Sequence, residues 1–498
     1  MTLGADWQAL QLAAALALPL AGALGIWLTG RWPDRRERVT LVAASLLFLV
    51  VASLLPAVLG GARPELFLAE PLPGIALAFR VEPLGMLFAL VASMLWPINS
   101  VYSIGYMRGN NEPHQTRFYL FFAVALFATI GIAFAANLFT LFLFYELLTL
   151  STYPLVTHKG NEAARAGGRV YLGILIATSI GLLLPAIIWT LALTGSTEFV
   201  AGGLLAQVAE TMPPALLGLL LFLFMYGIGK AALMPVHRWL PAAMVAPTPV
   251  SALLHAVAVV KAGVFTVVKV LVYTFGVDTL QGLPAAQLLL YVAGFTIVVA
   301  SIIALRQDNL KRRLAYSTIS QLSYVVLGAA LLAPLSLIGA ALHIAAHAFG
   351  KITLFFAAGA IYTAAHKTEV SQLRGIGWRM PWTMTAFAIG ALSMIGVPPA
   401  AGFISKWYIM GGAFATEQLL VVAVILASTL LNAAYFAPIV LTAFARPEAQ
   451  DEASHGEAPL PIVVALTATA ALTLGLFLFH QLPLALAGQM LTRPFGGT

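Results

Sequence analysis

The chain reads as a succession of apolar blocks, most of them twenty or more residues long, separated by short polar joints. About twenty apolar residues in a helix cross the ~30 Å of hydrocarbon in a bilayer, so this pattern predicts membrane-spanning helices. Fourteen blocks can be read, at 7–29, 39–60, 81–105, 117–135, 137–157, 168–194, 213–235, 249–274, 285–305, 314–334, 336–364, 381–411, 418–444 and 459–481. The longest joints, 61–80, 195–212 and 446–458, are too short to fold alone. The acidic joint with Glu448, Asp451, Glu452 and Glu457 reads as a solvated loop. The expected architecture is therefore an all-α polytopic membrane protein of about fourteen spans, with 1–498 as a single integral domain.

Two blocks are interrupted. The seventh runs into Pro235, Pro241, Pro247 and Pro249, and the twelfth contains Gly396, Pro398, Pro399 and Gly402. Proline removes a backbone donor and clashes with the preceding turn, so each is expected to unwind partway. Freed carbonyls at membrane depth are tolerated only against protein or water. Five spans apart, the two cross in opposite directions, the pattern of an inverted-repeat transporter with its ion pathway at the breaks. Proline kinks that serve packing alone are the competing reading.

Charge and composition refine this picture. The chain is 61% hydrophobic and 9% charged, against about a quarter charged in soluble domains. The formal charge of +7 lies in short joints and is topogenic, not a nucleic-acid patch. With the N-terminus outside, 18 of the 26 Lys and Arg residues fall on the inner side, and only Arg63, Arg80 and Arg493 fall on the outer side. The other five, Lys230, Lys261, Lys269, Lys351 and Lys406, lie inside blocks, so one alternating topology accounts for every basic residue. The absence of cysteine excludes disulfides, thiolate metal sites and cysteine catalysis. The first block lacks a basic leader and is too long for a signal-peptide core, so it reads as a span.

Of the 19 acidic residues, Glu146 alone sits at the centre of a block. A charge there costs roughly 2.5–3.5 kcal/mol even on the lenient insertion scale, so it needs a partner, and Lys230 and Lys261 are the candidates. A static ion pair is the alternative to a functional one. Apart from Arg117 and Arg169 at block ends, every basic residue within the blocks is lysine, whose protonation burial and a nearby carboxylate can tune. Arginine, which dominates the joints, does not deprotonate. In ALHIAAHAFGKITLFF, His343, His347 and Lys351 recur every four residues on one helical face, as a proton relay would. A zinc site is the rival, without an adjacent acid or thiol to complete it. His255, one turn beyond Ser251, is assigned to the same relay, and Lys269, near a span end, reads as snorkelling.

The segments LFTLFLFYELLTLSTYPLV, APTPVSALLHAVAVVKAGVF, HIAAHAFGKITLFFAAGAI and GVPPAAGFISKW resemble the antiporter-like family that includes the D-type component of the Mrp multisubunit sodium/proton antiporter and the proton-pumping membrane subunits of respiratory complex I. The resemblance covers nearly the whole chain. It implies a three-helix segment at 1–110, inverted five-helix repeats of spans 4–8 (117–274) and 9–13 (285–444), and a last helix at 459–481. It also implies a modulating pair Glu146–Lys230 and proton-carrying Lys261 and Lys406. Lys406 stands where some complex I members carry glutamate, and HAVAVVKAG is closer to the Mrp D-type component or to membrane-hydrogenase relatives. The expected function is proton translocation within a multisubunit sodium/proton antiporter of a bacterial inner membrane, alongside A-, B-, C-, E-, F- and G-like subunits and without a cofactor or metal. A redox-driven pump and an inert scaffold are the alternatives. Protons are expected to enter near Lys261 and His255, pass His343 and His347 to Lys406, and leave on the other side.

Overall fold

The computed structural model describes residues 3–446 and 455–491. Glu448, Asp451, Glu452 and Arg493 lie outside the described residues. Long helices alternate across a slab: α1 Leu3–Leu28, α2 Pro33–Leu59, α3 Pro83–Gly109, α4 Gln115–Ala133, α5 Leu138–Val156 and α6 Glu162–Thr194. The seventh crossing begins as α7 Pro214–Gly227 and breaks into short turns before α8 Thr248–Phe275. Then follow α9 Pro284–Leu305, α10 Leu310–Ala330 and α11 Pro334–Ala365. The twelfth crossing is split into α12 Pro381–Ile395 and α13 Gly402–Ala415, and α14 Leu419–Ala443, α15 Leu460–Leu478 and the short α16 Gln481–Gln489 complete the chain.

Among the described residues, 11 helices are long and apolar enough to cross a membrane. The three expected spans outside that set have clear physical reasons. The seventh and twelfth are broken, and α10 carries Ser317, Ser320, Gln321 and Ser323 inward, all fully buried.

Helix starts follow local chemistry. Asn137, Asn161 and Asn309 each accept a backbone N–H three residues on, capping α5, α6 and α10. Glu457, expected as solvated, instead accepts from Trp382 N (2.7 Å) and from Thr383 N and Oγ1, which places a carboxylate at the N-terminus of α12. The all-α expectation also needs correction at 61–80. There β1 Glu65–Leu72 and β2 Ile75–Arg80 form an antiparallel hairpin, tied down by Arg80 N to Phe134 O at 2.7 Å. Backbone donors freed by the α2–α3 connection thus find partners on the α4–α5 connection.

Hydrogen bonds sort the connections into two faces. On the hairpin face, Leu138 N reaches Thr197 O, Val200 N reaches Tyr273 O, and Gln489 reaches Leu59 O. On the opposite, basic face, Arg117 reaches His158 O, Lys311 reaches Ala246 O and Asn110 reaches Thr363. The broken crossings therefore enter from opposite faces. At the centre, α8 is buried along its whole length and α11 from Gly339 to Ile361. Peripheral helices turn apolar side chains outward, Leu49 on α2 at 60% exposure and Leu430 on α14 at 72%.

Close backbone approach is what seats the two breaks. A Cβ on Gly263 of α8 would lie 2.3 Å from the Lys230 carbonyl carbon, and one on Gly402 would lie 1.8 Å from Ser393 O. Neither neighbour is a flexible side chain, so Gly263→Ala and Gly402→Ala are expected to destabilise the chain by about 1–3 kcal/mol through overpacking. Gly173, with nothing within 4 Å of its added Cβ, is the control. Thermal midpoints in detergent check this: loss in the first two with Gly173→Ala unchanged is the expected result, and three equal midpoints would refute it.

Candidate functional site

The broken crossings bring charge and free backbone acceptors together. The last carbonyls of any helix lack intrahelical partners. At the C-terminus of α12, Gly396 (φ 87°) ends the helix, and Lys406 Nζ donates to Met394 O at 2.7 Å and Ile395 O at 3.1 Å. The ammonium thus sits at the negative end of the α12 dipole. Its Nζ also stands 4.6 Å from the centre of the Tyr324 ring.

In the other break, Lys230 lies on the unwound segment after α7. Its Nζ donates to Tyr145 O at 2.8 Å and Thr149 Oγ1 at 2.6 Å, and faces the Tyr145 ring at 3.2 Å. Glu146 is not among these contacts. Among the described residues no ion pair joins it to Lys230 or Lys261, and its Oε1 has no hydrogen-bond partner. The reason is helical geometry. Tyr145 and Thr149, four residues apart, share the face toward Lys230, whereas the next residue is turned by about 100°. Glu146 is accordingly half-buried, on a flank with Leu143 (42% exposed) and Leu150 (56% exposed). The expectation that Glu146 finds Lys230 or Lys261 as a direct partner is thereby corrected.

Lys261 is met by a histidine instead. Its Nζ contacts His347 Nδ1 directly, between α8 and α11. The His347 and His343 rings stack with centroids 6.0 Å apart. His343 then bonds Ser405 Oγ at 2.8 Å and Gln321 Oε1 at 3.1 Å. Gln321 also donates to Met394 O, the carbonyl that Lys406 holds. These groups line up as Lys261, His347, His343, Ser405 and Gln321, Lys406. His347 and His343 meet by ring stacking and not by a hydrogen bond, His347 Nε2 has no hydrogen-bond partner among the described residues, and Gln321 and Lys406 share the Met394 carbonyl. All except Lys406, at 4% exposed, are fully buried. Lys351 lies beside the line, donating to Ser317 Oγ at 2.8 Å, which also accepts from Tyr435. His255 is buried with its ring centroid 4.9 Å from that of Phe355, and neither ring nitrogen is hydrogen-bonded. Lys269 does not snorkel. It is buried, donates to Ala135 O at 2.7 Å and pairs with Glu82 at 3.0 Å.

Sequence reasoning passed over Gln321, Ser317, Tyr324, Ser405 and Thr149. A signal existed for three of them: Ser317, Gln321 and Tyr324 recur at i, i+4 and i+7, a polar stripe on an apolar helix. Ser405 and Thr149 carry none, because hydroxyls in membrane helices ordinarily bond their own backbone.

Comparisons with known proteins bear on this geometry. The family profile described as NADH:quinone oxidoreductase/Mrp antiporter, transmembrane, matches residues 135–437, which contain every residue of the line. NADH-quinone oxidoreductase subunit N of Desulforudis audaxviator is 36% identical over 363 residues, 72% of this chain and 71% of that protein. Subunit L of Mycobacterium tuberculosis is 32% identical over 408 residues, 78% of this chain and 62% of that one. Hydrogenase-4 component B of Escherichia coli is 30% identical over 376 residues, and this chain spans about half (54%) of its length. Among solved structures, a chain of the Mrp complex from Dietzia matches with TM-score 0.82 at 21% identity, over 96% of this chain and 97% of that one. A chain of the archaeal membrane-bound sulfane sulfur reductase matches with TM-score 0.84 at 23% identity and the same coverage. These two likenesses concern the fold.

The double anchoring of His343 generates a test. Gln321→Leu or Ser405→Ala each leaves one buried ring nitrogen unpaired, at an expected cost of about 1–3 kcal/mol. Because they share His343, the double variant should depart from additivity by about 0.5 kcal/mol or more in thermal midpoints of the purified protein. Strict additivity would show that the two bonds do not act on one ring.

Proposed function

This chain belongs to the NADH:quinone oxidoreductase/Mrp antiporter transmembrane family, and we propose that it is a proton-translocating subunit of a multisubunit membrane assembly. The observation that carries the reading is the buried row of ionisable groups from Lys261 through His347 and the stacked His343 to Lys406. Each group on it exchanges a proton without a covalent rearrangement. A protonated Lys261 gives its proton to His347 and becomes a neutral amine. The imidazole passes a proton on toward His343, whose partners Ser405 and Gln321 hold the ring beside the Lys406 ammonium site. Lys230 is the gate: its charge, held on the unwound segment beside Tyr145, sets the cost of a second charge on Lys261. Glu146 acts on Lys230 through space from the neighbouring flank of α5. Moving one charge across 100 mV is worth about 2.3 kcal/mol, within reach of such electrostatic switching.

A half-buried carboxylate on an apolar flank cannot face lipid without a penalty of several kcal/mol. The exposure of Glu146 beside Leu143 and Leu150 therefore supports coverage of this face by another chain of the assembly. The N-terminus and the hairpin face are taken as outer, because positive residues concentrate on the opposite side.

Two assemblies fit. The names of the relatives, subunits of quinone oxidoreductases and of a hydrogenase, support a redox-driven complex in which this chain carries no redox group. Lysine at 406 supports a sodium/proton antiporter of the Mrp type in a bacterial inner membrane. Copurified partners separate them: iron–sulfur or nickel subunits for the first, small membrane subunits for the second.

In the assembled complex, Lys261→Ala is expected to abolish proton-coupled transport in inverted vesicles, by at least about 10²-fold as for loss of a proton-transfer group. Glu146→Ala should fall similarly and Glu146→Asp should keep partial activity. Undiminished transport in assembled Lys261→Ala complexes would sink the proposal.

A further inference from the structure

The proton line just described uses neither Lys269 nor Glu82, yet these form the only ion pair among the described residues in which both side chains are buried on the hairpin face. Glu82 precedes α3 and is 1% exposed. Its Oε2 lies 3.0 Å from Lys269 Nζ, and its Oε1 has no hydrogen-bond partner. A buried carboxylate with one oxygen unmatched is expensive unless water or a proton reaches it. The access is present. Glu82 lines a cavity of about 290 Å³ on the hairpin face, together with Arg63, Tyr273, Asp278, Gln281 and Gln489. Arg63 is half-buried, and Asp278 and Gln281 are exposed, so the cavity joins the buried pair to the surface.

The other side of the pair points to the line. Lys261, Phe265 and Lys269 are successive four-residue steps on α8 and share one face. Eight residues at 1.5 Å each separate the two lysines by about 12 Å along the helix. Between them stands the fully buried Phe265, its ring 5.7 Å from Lys269 Nζ and packed on Phe88 at 5.0 Å. Phe199 closes the lysine's other side at 4.1 Å. An aromatic plug thus divides a carrier that belongs to the proton line from an acid that borders a surface-connected cavity.

We propose that Glu82 is the proton-release group toward the hairpin face, giving Lys261 an outlet of its own through Phe265 and the Glu82–Lys269 pair. When Phe265 swings aside and water fills the gap, the proton leaves Lys261 Nζ, which becomes a neutral amine. It arrives on Glu82, which becomes a neutral acid, and Lys269 keeps its ammonium throughout. Glu82 then gives the proton to water in the cavity and returns to the carboxylate paired with Lys269. This rests on the proton-translocating reading above and extends it, because that reading needs no group between Lys261 and the hairpin face.

The test uses the assembled complex in vesicles, with Lys261→Ala as the reference. Glu82→Gln should lower proton transport by at least about tenfold, and Glu82→Asp, which restores a carboxyl, should recover a substantial part of it. Because the chain has no cysteine, Val277→Cys on the cavity wall, at a half-buried position, reports access. A membrane-impermeant maleimide should modify it from the hairpin face and not from the basic face. If Glu82→Gln fails to assemble, Glu82→Gln with Lys269→Met leaves no unpaired buried charge and carries the same tenfold expectation. Transport within about twofold of the unmodified complex in Glu82→Gln, with Lys261→Ala inactive, overturns the outlet and leaves the function standing. Full transport in both variants overturns the function and the outlet with it. Absence of Val277→Cys labelling from the hairpin face also overturns the outlet.

Discussion

A lysine ammonium inside a dry helix bundle must be met by acceptors, and the architecture of this protein is organised around that requirement. Leaving such a group unmatched costs several kcal/mol. Five buried lysines meet the requirement in five ways. Lys406 takes the free carbonyls at the end of α12, and Lys230 takes a carbonyl and a hydroxyl of α5. Lys261 meets an imidazole, Lys351 a serine and Lys269 a carboxylate. The breaks in the seventh and twelfth crossings belong to the same solution. One creates the acceptors for Lys406, and the other lets Lys230 approach α5 from a chain that no longer runs as a helix.

The partners separate the lysines by what they can do. Against carbonyls or an imidazole, a lysine can lose its proton without stranding a buried anion. Against Glu82, loss of the Lys269 proton would leave a buried carboxylate without its counter-charge, so that pair stays charged unless the acid itself takes a proton. Lys261 and Lys406, at the two ends of the histidine line, have the first kind of partner. Two acids show the same logic from the opposite side. Glu82 is paired with a lysine at the edge of a cavity, whereas Glu146 is half-buried on a flank with Leu143 and Leu150 and pairs with neither Lys230 nor Lys261.

Packing keeps these distances. The central helices α8 and α11 touch protein along almost their whole length, and Gly263 lets the unwound Lys230 segment lie directly on α8. Polar side chains of α10 enter the same interior, where Gln321 links His343 to the α12 carbonyls. A helix that carries such a stripe is too polar to resemble a lipid-facing span, and this is why α10 stands apart from the 11 strongly apolar helices.

Much of this was legible from the chain alone. Apolar block length, the sorting of basic residues, the proline-bearing breaks and the four-residue spacing of His343, His347 and Lys351 are periodic or compositional. Such features follow from the thickness of a bilayer and the pitch of a helix, whatever the neighbours are. The 61–80 hairpin, the capping role of Glu457 and the pairing of Lys269 with Glu82, 187 positions apart in the chain, were not legible. Nor was the rotation of α5 that turns Tyr145 and Thr149, and not Glu146, toward Lys230. Sequence determined which residues carry charge into the membrane. Tertiary structure alone decided which acceptor each one meets, because a contact between helices depends on their rotation and register, and no periodicity within one helix encodes the side its neighbour presents.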